Sequence, residues 1–288
     1  MIKRLINFFR RMYNLLEVTK SLSRGAGTKN YHNIDTTDPM TWEFSGFSQN
    51  GEDGLLDYLI NQLKVSDKYF FEIGSSTGVE NNTTWLAIAR RFSGLMIEGS
   101  LEQVNRSRQF INQFSIGVDV VNKFVDEKNA QDVVALSDTK TPDVFSIDID
   151  GNDYYIVKSL FDLDFRPKIV VVEYNSAFGP NHSKTIIYDK HMLVRNGNYM
   201  DYSEESRLYY GVSIGGWKTY FSQLGYKFIT VDSNGVNAVF VNPDYFNSDF
   251  LEAIKGRDFQ ENFFQTRLFK TTWEKQFEKI KHLGFLDI

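Results

Sequence analysis

One stretch of this chain concentrates acidic residues at a spacing that could do chemistry: Ile147-Asp148-Ile149-Asp150-Gly151-Asn152-Asp153-Tyr154-Tyr155. In an extended segment, alternate side chains share a side, so Asp148 and Asp150 point the same way. A second apolar run ends Val172-Glu173-Tyr174-Asn175. If the two runs are neighbouring strands, Asp148, Asp150, Glu173 and Asn175 meet at their ends. Acids crowded together cannot all remain ionised unless they are paired, protonated or metal-bound. A hard divalent cation such as magnesium would relieve the repulsion and could lower the pKa of a bound hydroxyl. Alternatively Asp150 or Asp153 could act directly as a general base. The plainer reading is a turn and helix cap at Asp150-Gly151-Asn152-Asp153. His182, on a loop shortly after the second run, is the first choice for the base, because its ring titrates near neutral pH. His32, His191 and His282 have no comparable setting.

A second constellation, Phe71-Glu72-Ile73-Gly74-Ser75-Ser76-Thr77-Gly78, leaves an apolar run and is expected to enter a helix. Glycines there let the backbone approach a ligand closely, and a helix N-terminus offers free N–H groups. Two cofactors fit. A dinucleotide needs G-x-G-x-x-G for its pyrophosphate, and Ser76 stands where the middle glycine belongs. S-adenosylmethionine carries an ammonium and a sulfonium and no phosphate, so Glu72 at the strand end suits it. Glu98 ends the next run, where a carboxylate can accept both ribose hydroxyls, a feature shared with NAD enzymes. Ser75 and Ser100, beside Gly74 and Glu98, join the candidate cofactor contacts with Gly78 and Asp148. The bland alternative is a tight strand–helix turn with no ligand.

The elements needed to position these residues are legible. Short, nearly continuous apolar runs at 69–73, 94–98, 115–121, 143–148 and 168–173 alternate with helical patterns at 51–64, 84–89, 101–114 and 129–137. This predicts a parallel sheet covered on both faces. Asp232-Ser233-Asn234-Gly235 between apolar runs 226–231 and 237–241 is a hairpin signal. The expected fold is therefore α/β, Rossmann-like, mainly parallel with a terminal antiparallel hairpin. A methyltransferase-type sheet closes this way and a dinucleotide-binding one does not. The spacing predicts an amphipathic helix over 1–22, a loop or linker over 23–44, the main domain over 45–246 and a helical appendage over 247–288. That appendage would pack on the domain or on a second subunit. Residues 1–22 read either as a membrane-surface or docking helix, or as a helix packed on its own domain with a solvated basic face.

Composition sets the outer limits. The 288 residues carry 32 Lys and Arg against 37 Asp and Glu, a net charge of −5, and 42% are hydrophobic. That balance disfavours disorder and a dedicated nucleic-acid binder. No cysteine is present, which removes thiolate metal sites, disulfides and cysteine nucleophiles. The apolar stretch at Leu5–Phe9 is cut off by Arg10-Arg11, so neither a signal peptide nor a membrane span is expected. The expected location is cytoplasmic.

Seven short motifs in order resemble the FkbM-like family of class I S-adenosylmethionine-dependent methyltransferases. They are Ser48-Gln49-Asn50-Gly51-Glu52-Asp53-Gly54, Phe71-Glu72-Ile73-Gly74, Ile97-Glu98-Gly99, Ser146 through Tyr154, Val172-Glu173-Tyr174-Asn175, Tyr210-Gly211-Val212-Ser213 and Gly235 through Val241. The resemblance covers roughly 47–246. It implies methyl transfer to a hydroxyl, with Glu72, Gly74 and Glu98 as cofactor contacts and Gln49 and Glu52 closing the pocket. Relatives with acids at the ends of strands four and five bind magnesium there, which implies Asp148, Asp150 and Glu173. In those relatives Asp or Asn directly follows the fifth-strand acid, whereas Tyr174 intervenes here. The resemblance also implies a sugar, glycan or natural-product acceptor, which Tyr209, Tyr210 and Ser213 would face. Two alternatives remain open: an NAD-dependent sugar-modifying enzyme, and a non-catalytic cofactor or glycan binder of a polysaccharide assembly complex. The expected partner is a sugar or glycan acceptor, with no nucleic acid. Contact of residues 1–22 with the inner face of a membrane, and homo-oligomerisation, stay open.

Overall fold

The computed structural model describes residues 2–31, 33–190 and 204–288. His32 and His191 lie outside them. Seven strands form one sheet: β1 (Tyr69–Ile73), β2 (Ser93–Glu98), β3 (Val118–Asn122), β4 (Val144–Ile147), β5 (Ile169–Glu173), β7 (Lys227–Val231) and β8 (Asn237–Val241). Their order is β3-β2-β1-β4-β5-β8-β7. Strands β1 to β5 run parallel, and β8 is antiparallel to both β5 and β7. This is the Rossmann-like sheet with a terminal antiparallel pair that the residue pattern predicts. The order reverses between β1 and β4, and such a switch point opens a crevice at the carboxyl ends of the strands.

Helices α2 (Glu52–Ile60), α3 (Thr84–Ile88) and α4 (Leu101–Phe114) cover one face, while α5 (Ala130–Val134), α6 (Asp153–Phe161) and α8 (Ile214–Gln223) cover the other. Adjacent strand residues feed opposite cores. Phe71, Ile73, Phe145, Val170 and Val172 pack with α6 and α8, and Phe70, Met96, Val144 and Val171 pack with α2 and α4. Burial on both faces is why the strands read as unbroken apolar runs.

Two regions differ from the sequence expectation. Helix α1 runs from Ile2 to Tyr31, so the start of the predicted linker is helical. Gly25, inside that predicted linker, is a packing residue: a Cβ there would lie 2.5 Å from the Trp85 ring. The buried stripe of α1 is Asn14, Val18, Ser21 and Gly25, and Asn14 Nδ2 donates to Gln113 of α4 at 3.2 Å. The polar and small side of α1 thus faces the protein, while Arg4, Arg10 and Arg11 stay exposed. The second difference is at the C-terminus. After α9 (Ser248–Ala253), α10 (Phe263–Phe269) and α11 (Trp273–Ile280), the chain ends in strand β9 (Phe285–Asp287). This strand pairs antiparallel with β6 (Lys184–Ile186). Ile280 and Phe285 pack there against Phe178, Ile186 and Leu208 of the short helix α7 (Glu204–Leu208).

Candidate functional site

A crevice of about 500 Å³ opens where β1, β2 and β4 end. Its walls come from Ile73, Gly74 and Ser76 after β1, Ile97 to Ser100 with Gln103 at the start of α4, Lys123 to Val125 after β3, and Asp148 to Asp150 after β4. The floor is set by Gly74, whose φ is +84°. A Cβ there would lie 1.8 Å from the Asp148 carbonyl oxygen, so glycine is required for the β1 and β4 ends to meet. The Gly74 and Ser75 amides donate to the Ile97 carbonyl at 2.9 and 3.2 Å, closing the turn onto β2. Gly78, at φ +74°, lets the turn pass Ser107 of α4. Ser75 is fully buried and its hydroxyl has no partner among the described residues.

Glu98 stands half-exposed in this crevice. One carboxylate oxygen accepts from the Ser76 amide at 2.9 Å and the other from the Ser100 amide at 2.7 Å. Ser100 in turn N-caps α4, its hydroxyl accepting from Gln103 N at 3.4 Å. The helix N-terminus bordering the crevice is therefore already answered by protein oxygens. The glycine turn itself does not lead straight into a helix, as the sequence suggests, since irregular chain from Gly74 to Thr83 precedes α3.

Glu72 is not a crevice residue. It is buried beneath the turn, accepting from Asn81 Nδ2 and Thr83 Oγ1, both at 2.6 Å, and from Asn82 N at 3.1 Å. Those donors fasten the irregular 74–83 segment to β1. Burial pushes the Glu72 carboxyl up to about 7, against the opposing pull of Thr83, Asn82 and Asn81. Gln49 and Glu52 also lie off the crevice walls. Gln49 donates to Glu80 at 3.0 Å above a separate surface cleft beside α1. Glu52 is buried and accepts from the Asn50 amide at 2.8 Å and from Asn237 Nδ2 at 2.6 Å, tying the start of α2 to β8.

The acids of β4 and β5 do converge. Asp148, Asp150 and Glu173 each present an oxygen within 4.8 Å of the others. Burial raises the Asp148 carboxyl well above its ordinary range, and the charges of Asp150, Asp153, Glu52 and Glu72 add to the push. Glu173 is raised well above its range by burial and then by Asp148, Asp150 and Asp153, with a hydrogen bond from the Tyr210 hydroxyl opposing. Asp150 keeps an exposed edge, yet partial desolvation raises it too. Its backbone sits at φ +55°, a left-handed conformation that Asp tolerates better than most residues.

Asp153 holds this turn. Its carboxylate accepts from the Ile149 amide at 3.1 Å and the Gly151 amide at 3.0 Å, and burial raises it to about 6. It shapes the loop that presents Asp148 and Asp150. Asn175 also does structural work. Its amide nitrogen donates to the Leu208 and Tyr210 carbonyls at 2.7 and 2.9 Å, and its oxygen accepts from Ala177 N at 3.0 Å. With both amide ends taken by backbone, it does not complete the acidic set.

His182 sits in the C-terminal cluster. Its ring stacks on Phe277 of α11 with centroids 4.4 Å apart, and Nδ1 lies 2.5 Å from the Phe178 carbonyl, to which it must donate. It is absent from the crevice walls. His282 is exposed. Ser213 N-caps α8, and Tyr209 donates to the Gly284 carbonyl, so both serve the fold. Tyr210 is the exception: its hydroxyl bonds Glu173 and accepts from Gln265 Nε2 at 3.0 Å. Sequence reasoning assigned Tyr210 to an acceptor and missed this partnership. It also missed Ser76, Lys123 and Phe124. The one available signal was their position just past a strand end.

No protein-family model matches the chain, and no curated protein matches it. Among solved structures it is similar to an O-methyltransferase from Bacillus cereus in complex with SAH, at 16% identity and TM-score 0.43, covering 78% of this chain and 90% of that one. It is also similar to the O-methyltransferase TomG from Streptomyces achromogenes, involved in tomaymycin synthesis and in complex with SAM. There the identity is 15% and the TM-score 0.42, over 78% of this chain and 88% of that one. A third is the fibrillarin pre-rRNA processing protein of Methanococcus jannaschii, at 12% identity and TM-score 0.39, over 62% and 70%. None of these likenesses decides the chemistry of the crevice, which rests on this chain's own residues.

Proposed function

We propose that this chain is an S-adenosylmethionine-dependent O-methyltransferase of the FkbM-like kind, acting on a hydroxyl of a sugar or glycan. The observation that carries this reading is the charge of the crevice. Glu98 stands on one wall and Asp148 and Asp150 on the other. The crevice's cation, Lys123, lies 3.7 Å from Asp132. An acidic crevice attracts a sulfonium and an ammonium and repels a pyrophosphate. The α4 N-terminus, which could have answered a phosphate, is already met by Glu98 and Ser100. Glu98 would serve a ribose of either cofactor, while Asp148 and Asp150 favour S-adenosylmethionine over a pyrophosphate. The volume is that of a small-molecule site.

When bound, S-adenosylmethionine supplies an electrophilic methyl group. The protein's part is alignment and proton management. Glu98, fixed by two backbone amides, offers its remaining lone pairs to vicinal hydroxyls. Ile97, Phe124, Val125 and Ile149 give the crevice apolar surface for a flat ring. Asp150 is the acid with an open edge, so it is placed to take the proton of an acceptor hydroxyl. Its raised pKa brings it closer to the range where a general base works well. Glu173 and Tyr210 behind it hold the charge distribution. Asp148, Asp150 and Glu173 also suit a magnesium ion, which prefers oxygen donors. Such an ion, when bound, would neutralise the acids and acidify the acceptor hydroxyl.

The test is release of S-adenosylhomocysteine in the presence of a panel of sugars and glycans, with Asp150→Asn beside the parent protein. Asparagine tolerates the left-handed backbone, so the fold is expected to survive, and Glu98 and Asp148 are expected to keep the cofactor bound. Turnover should fall about 100-fold or more, the contribution of a positioned base. Unchanged turnover would remove Asp150 from the chemistry, and loss of binding together with turnover would make the cluster structural.

A further inference from the structure

The exposed face of α1 does not belong to the crevice and has no counterpart in the proposed reaction. Along its N-terminal half, residues 4–16, only Asn14 is buried, and the apolar residues there are not turned onto the protein. The stripe facing the protein is Asn14, Val18, Ser21 and Gly25. Leu5, Ile6, Phe8, Phe9, Met12, Tyr13, Leu15 and Leu16 all face solvent, each 42 to 63% exposed. At helical spacing these positions fill an arc of about 180°. Soluble helices normally turn such an arc inward. Here the inward side is polar, and Arg10 Nη1 donates to Gln109 Oε1 on α4 at 2.6 Å.

Charge says what covers the arc. Residues 1–16 contain Lys3, Arg4, Arg10 and Arg11 and no acid, so the chain's net −5 is the sum of +4 on this segment and −9 on the rest. A second copy would bring the same basic residues against themselves. An anionic lipid surface answers both features, taking the apolar side chains into its acyl boundary and the flanking cations at its headgroups. No helix among the described residues is long and apolar enough to cross a membrane, so the fit is to lying on one. We infer that the N-terminal half of α1 is an interfacial anchor that docks this protein, by its solvent-facing apolar arc, onto an anionic bilayer.

The full chain is sedimented with vesicles of phosphatidylcholine alone and of phosphatidylcholine with phosphatidylglycerol, at low and high salt. Binding should require the anionic lipid and weaken with salt. Arg4→Ala with Arg11→Ala should weaken partitioning roughly 30-fold, at about fivefold per basic residue. Phe9→Asp with Leu16→Asp should abolish binding while leaving circular dichroism unchanged, because both side chains are exposed. Phe9→Trp supplies a second reading, an emission blue shift on anionic vesicles. Absence of sedimentation and of any blue shift would overturn the proposal. Concentration-dependent dimerisation that the Asp variants abolish, without vesicle binding, would overturn it in favour of a second copy.

Discussion

Removing the carboxylate of Glu98 separates a cofactor contact from a structural cap. Its two oxygens already accept from Ser76 N at 2.9 Å and Ser100 N at 2.7 Å. A bound ribose would add two more hydrogen bonds, each to a charged acceptor and each contributing about 1.5–3 kcal/mol. Because Glu98 is half-exposed, the lower end applies, and Glu98→Ala should cost about 3 kcal/mol of binding, roughly 150-fold in Kd. The same change frees the Ser76 and Ser100 amides and should lower fold stability by about 1 kcal/mol. Ser100→Ala is the control. It removes the α4 cap hydroxyl at a similar cost of about 1 kcal/mol, but leaves the Glu98 carboxylate in place. Calorimetric titration with S-adenosylmethionine gives the binding term, and thermal melts give the stability term. Loss of stability in Glu98→Ala with affinity within threefold of the parent would refute the reasoning and leave Glu98 a helix cap.

Two further outcomes follow from the geometry around the turn. Gly74→Ala should destabilise by about 3 kcal/mol or more, combining the left-handed backbone with the clash at the Asp148 carbonyl, and a urea midpoint equal to the parent's would contradict this. Stability should also fall as pH rises from about 4.5 to beyond 7. Glu72 is pushed up to about 7 from 4.5, so the folded state binds its proton more tightly than the unfolded chain, and that advantage is lost as pH climbs through the folded value. Glu43 and Asp53, each raised to about 7 chiefly by burial, and Asp153, raised to about 6, act in the same direction. Thermal melts between pH 5 and 8 should show the decline, with Glu72→Gln flattening part of it; a melting temperature that rises with pH would contradict the assignment.

The strands were legible because the pattern that builds them is local. Val170-Val171-Val172 must be apolar throughout when both faces are covered, and the Asn234-Gly235 turn announces the hairpin. The meeting of Asp148, Asp150 and Glu173 was legible for the same reason, as alternation and strand adjacency fix it. The residues whose partners come from irregular or distant chain were not. Glu72 looked like a ligand contact because Asn81, Asn82 and Thr83 reach it from a segment without regular structure. His182 looked free because its neighbour Phe277 lies far along the chain on α11. Strand β9 is three residues long and finds its partner in β6 roughly a hundred residues earlier, too short and too remote for periodicity to mark. Gly25 misled in the opposite way, since its propensity breaks helices while its lack of a side chain lets α1 pass Trp85.

On the proposed function, the acidic crevice selects a cationic nucleoside over a pyrophosphate. Titration calorimetry of the full chain with S-adenosylmethionine and with NAD, each with and without magnesium, tests it most directly. The predicted result is saturable binding of S-adenosylmethionine, with no heat from NAD. Saturable binding of NAD with none of S-adenosylmethionine would contradict it and leave the sheet a Rossmann-like fold turned to other chemistry.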